Sequence, residues 1–335
     1  MDKRLLSRPY VAIVICAVVA LVLALCVRRP AKRYMHASGV VWTTEYHITY
    51  EASRDMQDSI TLVLAMVDSS ASVFNQQSLV SRLNNNVTDR TDSIFERLYA
   101  KSVEVNRASS GAYDPTVMPL VNAWGFGYKH GQLPTKAQID SLLQFVGLGK
   151  SSVQHHQLLK QDKRLQFDFS SIAKGMACDE VGRMLERNGA ENWIVEIGGE
   201  VACRGVNAQG QPWSVSVDMP QPDSHEGVVA LTLKQGGVAT SGNYRRFKEV
   251  GGKKVSHIVN PHTGYSEHSP LLSVTIVAPD CMTADAWATA CMVMGPDRCK
   301  RQFEHSTLGV MLISATPSGD LEVWGNKAFT NLVKQ

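Results

Sequence analysis

Asp285 and Thr289 stand four residues apart in Thr283-Ala284-Asp285-Ala286-Trp287-Ala288-Thr289-Ala290, a run with a helical pattern. That spacing sets a carboxylate and a hydroxyl on one helix face, a turn apart. Both are hard oxygen donors and form half of a site for Mg2+, which completes its shell with water and substrate phosphate oxygens. The same residues also read as an acid favoured by the helix dipole beside a threonine back-bonded to its helix. A second segment, Asp168-Phe169-Ser170-Ser171-Ile172-Ala173-Lys174-Gly175, reads as a strand entering a helix start through small residues. Free N–H groups there would suit a phosphate. No GxxxxGK[ST] loop is present, and Lys174 reads either as a charge for a phosphate or as a solvated lysine. A third segment, Ser256 to Gly264, follows Ala239-Thr240-Ser241-Gly242 and carries His257. His257 is expected in a strand with Val255 and Val259 on its face, as a catalyst or as a satisfied core histidine. The fourth, Gly111-Ala112-Tyr113-Asp114-Pro115-Thr116 with Pro119–Gly127 after it, reads on its own as a capped loop.

These segments need elements to hold them, and hydrophobic periodicity supplies candidates. Helical patterns cover about 55–72, 91–108, 135–146, 172–188 and 283–294. Strand candidates cover 40–50, 164–169, 193–197, 201–205, 213–218, 228–233, 255–259, 271–278, 309–314 and 321–324. In the helix 172–188, Ala177, Val181, Met184 and Leu185 share a face, and Gly189 supplies a stop. No repeat or low-complexity tract occurs, and composition does not shift after residue 38. The expected class is a single α+β domain over 34–335, behind an N-terminal segment 1–33.

Composition narrows the function. Hydrophobic residues make up 44% and charged residues 19%, which describes a globular chain. The net charge of +3 comes from the N-terminus. Seven of the 34 basic residues and one of the 31 acidic ones lie in the first 33 positions, which leaves the body with 27 basic and 30 acidic residues. A slightly acidic body without a basic stripe argues against a nucleic-acid partner. Tyr10 to Val27 carries no charge and would span roughly 27 Å as a helix, close to a bilayer core. We expect a transmembrane anchor there. Leu23-Ala24-Leu25-Cys26 has the outline of a lipoprotein box, but Leu25 is bulky, so an uncleaved span is favoured over lipidation of Cys26. Five body cysteines without CxxC spacing read as buried small hydrophobes.

Taken in order, seven segments resemble the ApbE family of FAD:protein FMN transferases: SVFNQQSLVSRLN (72–84), GAYDPTVMPLVNAWGFG (111–127), DFSSIAKGMACDEV (168–181), VEIGGEVACRG (195–205), VATSGNYRRF (238–247), HIVNPHTGYS (257–266) and SVTIVAPDCMTADAWATACMVMG (273–295). The resemblance covers about 40–325 and implies a T-fold-like body holding FAD with Mg2+ at its pyrophosphate. It implies metal ligation by Asp285, Thr289 and the Ala173 carbonyl. It places Trp42, Phe74, Ala112, Tyr113, Asp114, Ser170, Lys174, Met176 and Ile258 at the flavin nucleotide. A protein threonine or serine hydroxyl would attack the FMN phosphorus with AMP leaving, Lys174 would stabilise charge, and His257 would handle the proton. Implied partners are flavin-carrying subunits of the sodium-pumping NADH:quinone reductase or Rnf type. The implied location is a bacterial inner membrane with the body in the periplasm. Three departures stand out: Asn260 where the family often has Asp, Trp42-Thr43-Thr44 where many members read Met-Gly-Thr, and Phe74 for a common tyrosine. The rival readings are an FAD pyrophosphatase, a non-catalytic flavin-binding lipoprotein and a structural membrane-tethered module.

Overall fold

The computed structural model describes Cys16 and residues 32–127, 133–218, 227–243, 247–250, 253–266 and 269–334. Apart from Cys16, the apolar segment 10–27 and Cys26 lie outside the described residues. Among the described residues no helix is long and apolar enough to cross a membrane.

Strands β1 (Arg33–Val41) and β2 (Thr44–Ala52) form a hairpin in which Val41 faces Thr44. The sequence pattern suggests one strand over 40–50. Instead the chain reverses at Trp42 and Thr43, with φ of 50° and 63°. Two-residue hairpin turns need left-handed backbone, and glycine or asparagine normally supplies it. Here the turn is fastened by side chains: Trp42 Nε1 donates to Asp68 Oδ1 at 2.9 Å, and Thr43 Oγ1 donates to the Trp42 carbonyl at 2.6 Å.

The helices α1 (Gln57–Ala71), α2 (Leu79–Asn84), α3 (Ser93–Ala108), α4 (Met118–Ala123) and α5 (Lys136–Leu143) follow, and the short hairpin β3 (Ser151–Gln154) and β4 (Gln157–Lys160) comes after them. In α1 the buried Ile60, Leu64, Val67 and Ala71 recur at helical spacing. The segment 164–169 is not the expected strand. It leaves a turn at Arg164 and makes a single bridge, from Gln166 to Val117. Next come α6 (Ala173–Arg187), β5 (Trp193–Ile197), β6 (Glu200–Arg204), β7 (Trp213–Asp218), β8 (Gly227–Leu233), β9 (Gln235–Gly242), β10 (Phe247–Val250), β11 (Lys253–Ser256) and β12 (Leu271–Ala278). The chain closes with α7 (Cys281–Met294), α8 (Pro296–Phe303), β13 (Gly309–Ala315), β14 (Leu321–Gly325) and α9 (Lys327–Thr330).

Eight strands form one antiparallel sheet in the order β1-β2-β5-β6-β9-β12-β13-β14. The period of two in each central strand sends alternate side chains to two cores. Ala202, Ala239, Val274, Ile276, Val310 and Leu312 join the larger core beneath α1, α3, α6 and α7. Val201, Val238, Val277, Met311 and Ile313 join the other, which the β7–β8 hairpin covers with Trp213, Val215 and Leu231. Helices on one face of an antiparallel sheet are what the expected α+β class describes. The face of α6 expected from its sequence, Ala177, Val181, Met184 and Leu185, is buried, and the helix stops at Gly189, whose φ is +84°.

Candidate active site

Helices α6 and α7 meet at a seam that gathers the charged candidates. Asp285, in the second turn of α7, is 4% exposed, and its Oδ2 accepts the Gly175 N–H at 3.0 Å. Only glycine fits at 175, because a Cβ there would run into the Cys281 carbonyl and lie 2.9 Å from Asp285 Cβ. Lys174 forms an ion pair with Glu200 at the start of β6. Burial pushes the Glu200 carboxyl up to about 7; the Lys174 ammonium opposes the rise and Asp285 adds to it. Burial likewise raises Asp285, against Lys174 and the Gly175 N–H. Lys174 itself is held above its ordinary range: burial alone would lower it, but Glu200 and Asp285 outweigh that loss. One ammonium lies between two buried carboxyl groups, and their raised pKa values mean that it does not fully compensate their ionised forms. Buried charge is costly unless paired, so the seam has room electrostatically for a cation.

Thr289 lies one turn beyond Asp285, and its Oγ1 is 3.2 Å from Ser241 Oγ on β9. Ala173 opens α6 beside Lys174. The donor set of carboxylate, hydroxyl and main-chain carbonyl is all hard oxygen and matches what Mg2+ takes. Among the described residues no group of three or more His, Cys, Asp or Glu is placed to hold a metal ion. The start of α7 is fixed from α6. Asp179 accepts the N–H groups of Cys281 and Met282, each at 2.9 Å, and Asp280 caps Thr283 N at 2.7 Å. Burial pushes Asp179 up to about 7.

The amides before α6 do not form the expected open anion cradle. Ser170 N–H donates to Asp168 Oδ1, Ile172 and Ala173 N–H groups donate to the Phe169 carbonyl, and Gly175 N–H is taken by Asp285. The turn satisfies the first three donors internally and α7 takes the fourth, so these four amides leave the charge at the seam to side chains. Burial also raises Asp168.

The aromatic candidates divide. Phe74 is 64% exposed, and it follows α1 next to Asn75, whose Nδ2 donates to Asp68 Oδ2 at 2.6 Å. Since Asp68 also holds Trp42, one carboxylate ties the β1–β2 turn to the loop that presents Phe74. Tyr113, Met176, Ala112 and Ile258 are buried. Tyr113 OH accepts from Ser171 Oγ at 3.5 Å, which brings the 111–116 turn against the α6 entry, and burial raises its phenol. Asp114 is also buried: Oδ1 accepts Thr116 N–H and Oγ1–H at 2.8 and 2.6 Å, and Oδ2 accepts Leu148 N–H at 2.8 Å. Its carboxylate therefore organises the loop, and burial outweighs these bonds to raise its pKa. Ser170 is exposed at the mouth of the turn.

His257 is not in a strand, since β11 ends at Ser256 and His257 sits in a bend, half-buried. Its ring is 6.3 Å from that of Phe126 in an edge-on arrangement. Asn260 Oδ1 accepts the His262 N–H at 2.8 Å and the Thr263 N–H at 3.3 Å, so it builds the turn as an aspartate would. Gly264 (φ +74°) presses on Ile139, and its carbonyl accepts from Trp124 Nε1 at 2.8 Å. His262 Nε2 lies 3.1 Å from the Ser110 carbonyl. Segment 257–266 is thus laced onto segment 110–127, where Trp124 and Phe126 are half-buried.

A model of the ApbE family matches residues 42–312. The chain belongs to the ApbE family. It is 33% identical over 319 residues to the FAD:protein FMN transferase of Haemophilus influenzae, covering 90% of this chain and 92% of the relative. It is 33% identical over 310 residues to that of Vibrio cholerae, covering 89% and 92%. The solved flavin transferase ApbE from Vibrio cholerae superposes with a TM-score of 0.81 at 31% identity, covering 90% of this chain and 99% of that one. The ApbE protein of Thermotoga maritima superposes at 0.80 with 27% identity, covering 90% and 100%. The chain is therefore an enzyme of the flavin-transferring family, with the family's mixed α/β domain.

The sequence reading gave Glu200 no role, although it lies inside the VEIGGEVACRG segment that marks the family. The available signal was an ionisable residue opening a strand, EVACR, whose next three residues are apolar. Asp179 was equally legible in kind, as a carboxylate on the buried side of α6 next to Cys178.

Proposed function

We propose that this enzyme transfers the FMN moiety of FAD to a threonine or serine hydroxyl of acceptor proteins, with AMP as the other product and Mg2+ as the required metal. The observation that carries the reading is the seam, where Lys174, Glu200 and Asp285 concentrate charge beside a hard-oxygen pair, Asp285 and Thr289. Asp285, Thr289 and the Ala173 carbonyl would hold the metal. When bound, Mg2+ supplies charge neutralisation for the pyrophosphate. Lys174 binds a phosphate oxygen as a point charge while Glu200 keeps its ammonium protonated. Phe74 and Trp42 present ring surface to the isoalloxazine, and Ser170, Met176, Ala112, Tyr113, Asp114 and Ile258 shape the nucleotide site. His257 accepts the acceptor hydroxyl's proton, in a bend whose position segment 110–127 sets. Phosphoryl transfer of this kind depends on positioning and charge more than on covalent help.

Residues 10–27 anchor the chain in the bacterial inner membrane, and the body faces the periplasm, where flavin-carrying subunits of the sodium-pumping NADH:quinone reductase or Rnf type are the acceptors. A reporter fused after Gln335 and active only in the cytoplasm overturns that orientation. The reaction is tested with the detergent-solubilised chain, FAD, Mg2+ and acceptor domains. AMP appearing in step with acceptor-bound flavin supports transfer. AMP in step with free FMN makes the enzyme an FAD pyrophosphatase.

A further inference from the structure

The five body cysteines, Cys178, Cys203, Cys281, Cys291 and Cys299, are buried free thiols, and the flavin reading uses none of them. Two of them stand directly beneath the seam. Cys178 lies one helical turn beyond Lys174 on α6, and Cys281 opens α7 one turn before Asp285. Their thiols turn toward neighbouring positions of two paired strands, since Val201, next to Glu200, is the register partner of Val238. Each reaches its strand: Cys178 Sγ donates to the Glu200 carbonyl at 3.3 Å and Cys281 Sγ to the Val238 carbonyl at 3.7 Å. The backbones are pinned on both sides of Cys178. Gly175 backs onto the Cys281 carbonyl, and Asp179 accepts the Cys281 and Met282 N–H groups. A disulfide needs two closely apposed backbones with converging side chains, and these contacts provide them.

The other thiols offer a contrast. Cys203 packs on the opposite face of the sheet among Val201, Trp213 and Val238. Cys291 and Cys299 also touch, with Cys299 Sγ donating to the Cys291 carbonyl at 3.4 Å. They join α7 to α8, which already follow one another across Gly295. A bond there closes a short loop, whereas one from Cys178 to Cys281 closes a long one and restrains the unfolded chain far more.

We propose that in an oxidising compartment Cys178 and Cys281 close into a disulfide that clamps α6 to α7 one turn below Lys174 and Asp285; the compartment rests on the periplasmic reading above. The oxidant is a glutathione or protein disulfide. One cysteine thiolate attacks it, forming a mixed disulfide and releasing one thiol. The second thiolate then attacks the mixed disulfide, forming the Cys178–Cys281 bond and releasing the other thiol. Two protons and two electrons leave the chain, and the oxidant is reduced to two thiols. Because both sulfurs are buried once α6 and α7 pack, the exchange occurs during folding, and the finished bond is shielded from reductant.

The test unfolds the full chain in denaturant, detergent and reductant, then refolds it in a mixture of reduced and oxidised glutathione. Acid trapping, alkylation of free thiols and peptide mapping by mass spectrometry follow. The expected result is a Cys178–Cys281 linked peptide lighter by two hydrogens, formed equally well in Cys203→Ala and absent in Cys281→Ala. The oxidised wild-type chain should also unfold at higher denaturant than its reduced form, a difference that Cys281→Ala lacks. A folded chain that gives no such peptide, or one linking only Cys291 and Cys299, overturns the proposal. If refolding fails, the full chain is purified from its membrane without reductant, alkylated and mapped in the same way, and absence of the linked peptide overturns the proposal equally. The glutathione mixture stands in for the compartment and no flavin is transferred, so this outcome is separate from those that test the enzyme's reaction and its location.

Discussion

At the α6–α7 seam the reactive side chains are held by burial and opposed charge, whereas across segments 110–127 and 257–266 they are held by turns and backbone hydrogen bonds. Burial raises the Asp285 and Glu200 carboxyls against the pull of Lys174, and the two carboxylates raise Lys174 against burial. His257 is positioned instead by a turn that Asn260 builds and by the carbonyl of Gly264 meeting Trp124. The seam can tolerate little change without a change in charge balance.

The sharpest way to break this comparison is Asp285→Ala. It removes the only carboxylate of the proposed metal set, and transfer should fall on the order of 1,000-fold with loss of Mg2+ dependence, as when a dominant electrostatic group is deleted. It also strands the buried Gly175 N–H, so a stability loss of about 1–3 kcal/mol should accompany it. Helix-face spacing alone suggests a harmless surface change, but the 4% exposure of Asp285 argues otherwise. Metal-dependent turnover that survives in the folded variant removes the seam from the reaction.

His257→Asn probes the loop side. Proton transfer by a positioned base contributes roughly 100-fold or more, so kcat should drop by that factor with little change in FAD affinity or in melting temperature. A variant with normal kcat at saturating FAD but weakened FAD binding makes His257 a binding residue. A variant unchanged in both returns it to ordinary packing.

Gly175→Ala separates packing from charge. Its new Cβ meets the Cys281 carbonyl, a backbone atom that cannot swing away. Overpacking of this kind costs about 1–3 kcal/mol, and denaturant unfolding should show it with no change in m. A stability equal to wild type shows that the helices do not approach so closely.

The smallest effect concerns pH. Glu200 and Asp179 have pKa values raised to about 7. Between the ordinary carboxylate range and about 7 the folded chain therefore holds protons that the unfolded chain has released, and stability declines as pH rises through that window. Melting of the metal-free protein between pH 5 and 8, a window drawn around those values, should show the decline. Glu200→Gln should flatten it even though its baseline stability is lower. An identical slope in the variant assigns the titration elsewhere.

Much of the seam was legible because helices write their contacts locally. Asp285 and Thr289 declare a shared face by spacing, and the buried stripe of α6 follows its apolar period to Gly189. The loops were legible only in part. Asp114 and Asn260 look like site polar groups, yet their oxygens are taken by backbone N–H groups that no local pattern reveals. The β1–β2 reversal escaped detection because Trp42 and Thr43 adopt left-handed backbone without a glycine, held by Asp68 from a distant helix. β9 was hidden by its glycines: Gly236 and Gly237 abut Ala278 and the start of α7, a long-range demand that reads in sequence as a loop. The free-amide reading of the α6 entry does not hold at Gly175 for the same reason, since the acceptor for its N–H comes from α7.

The most direct test of the central claim is a crystal of the full chain with FAD and Mn2+ in place of Mg2+, measured for anomalous scattering. The account predicts one strong peak at the seam, within bonding distance of the Asp285 carboxylate, Thr289 Oγ1 and the Ala173 carbonyl, with the FAD pyrophosphate against it and near Lys174. A peak elsewhere, or FAD bound in order with its pyrophosphate away from Asp285 and no metal at the seam, contradicts it.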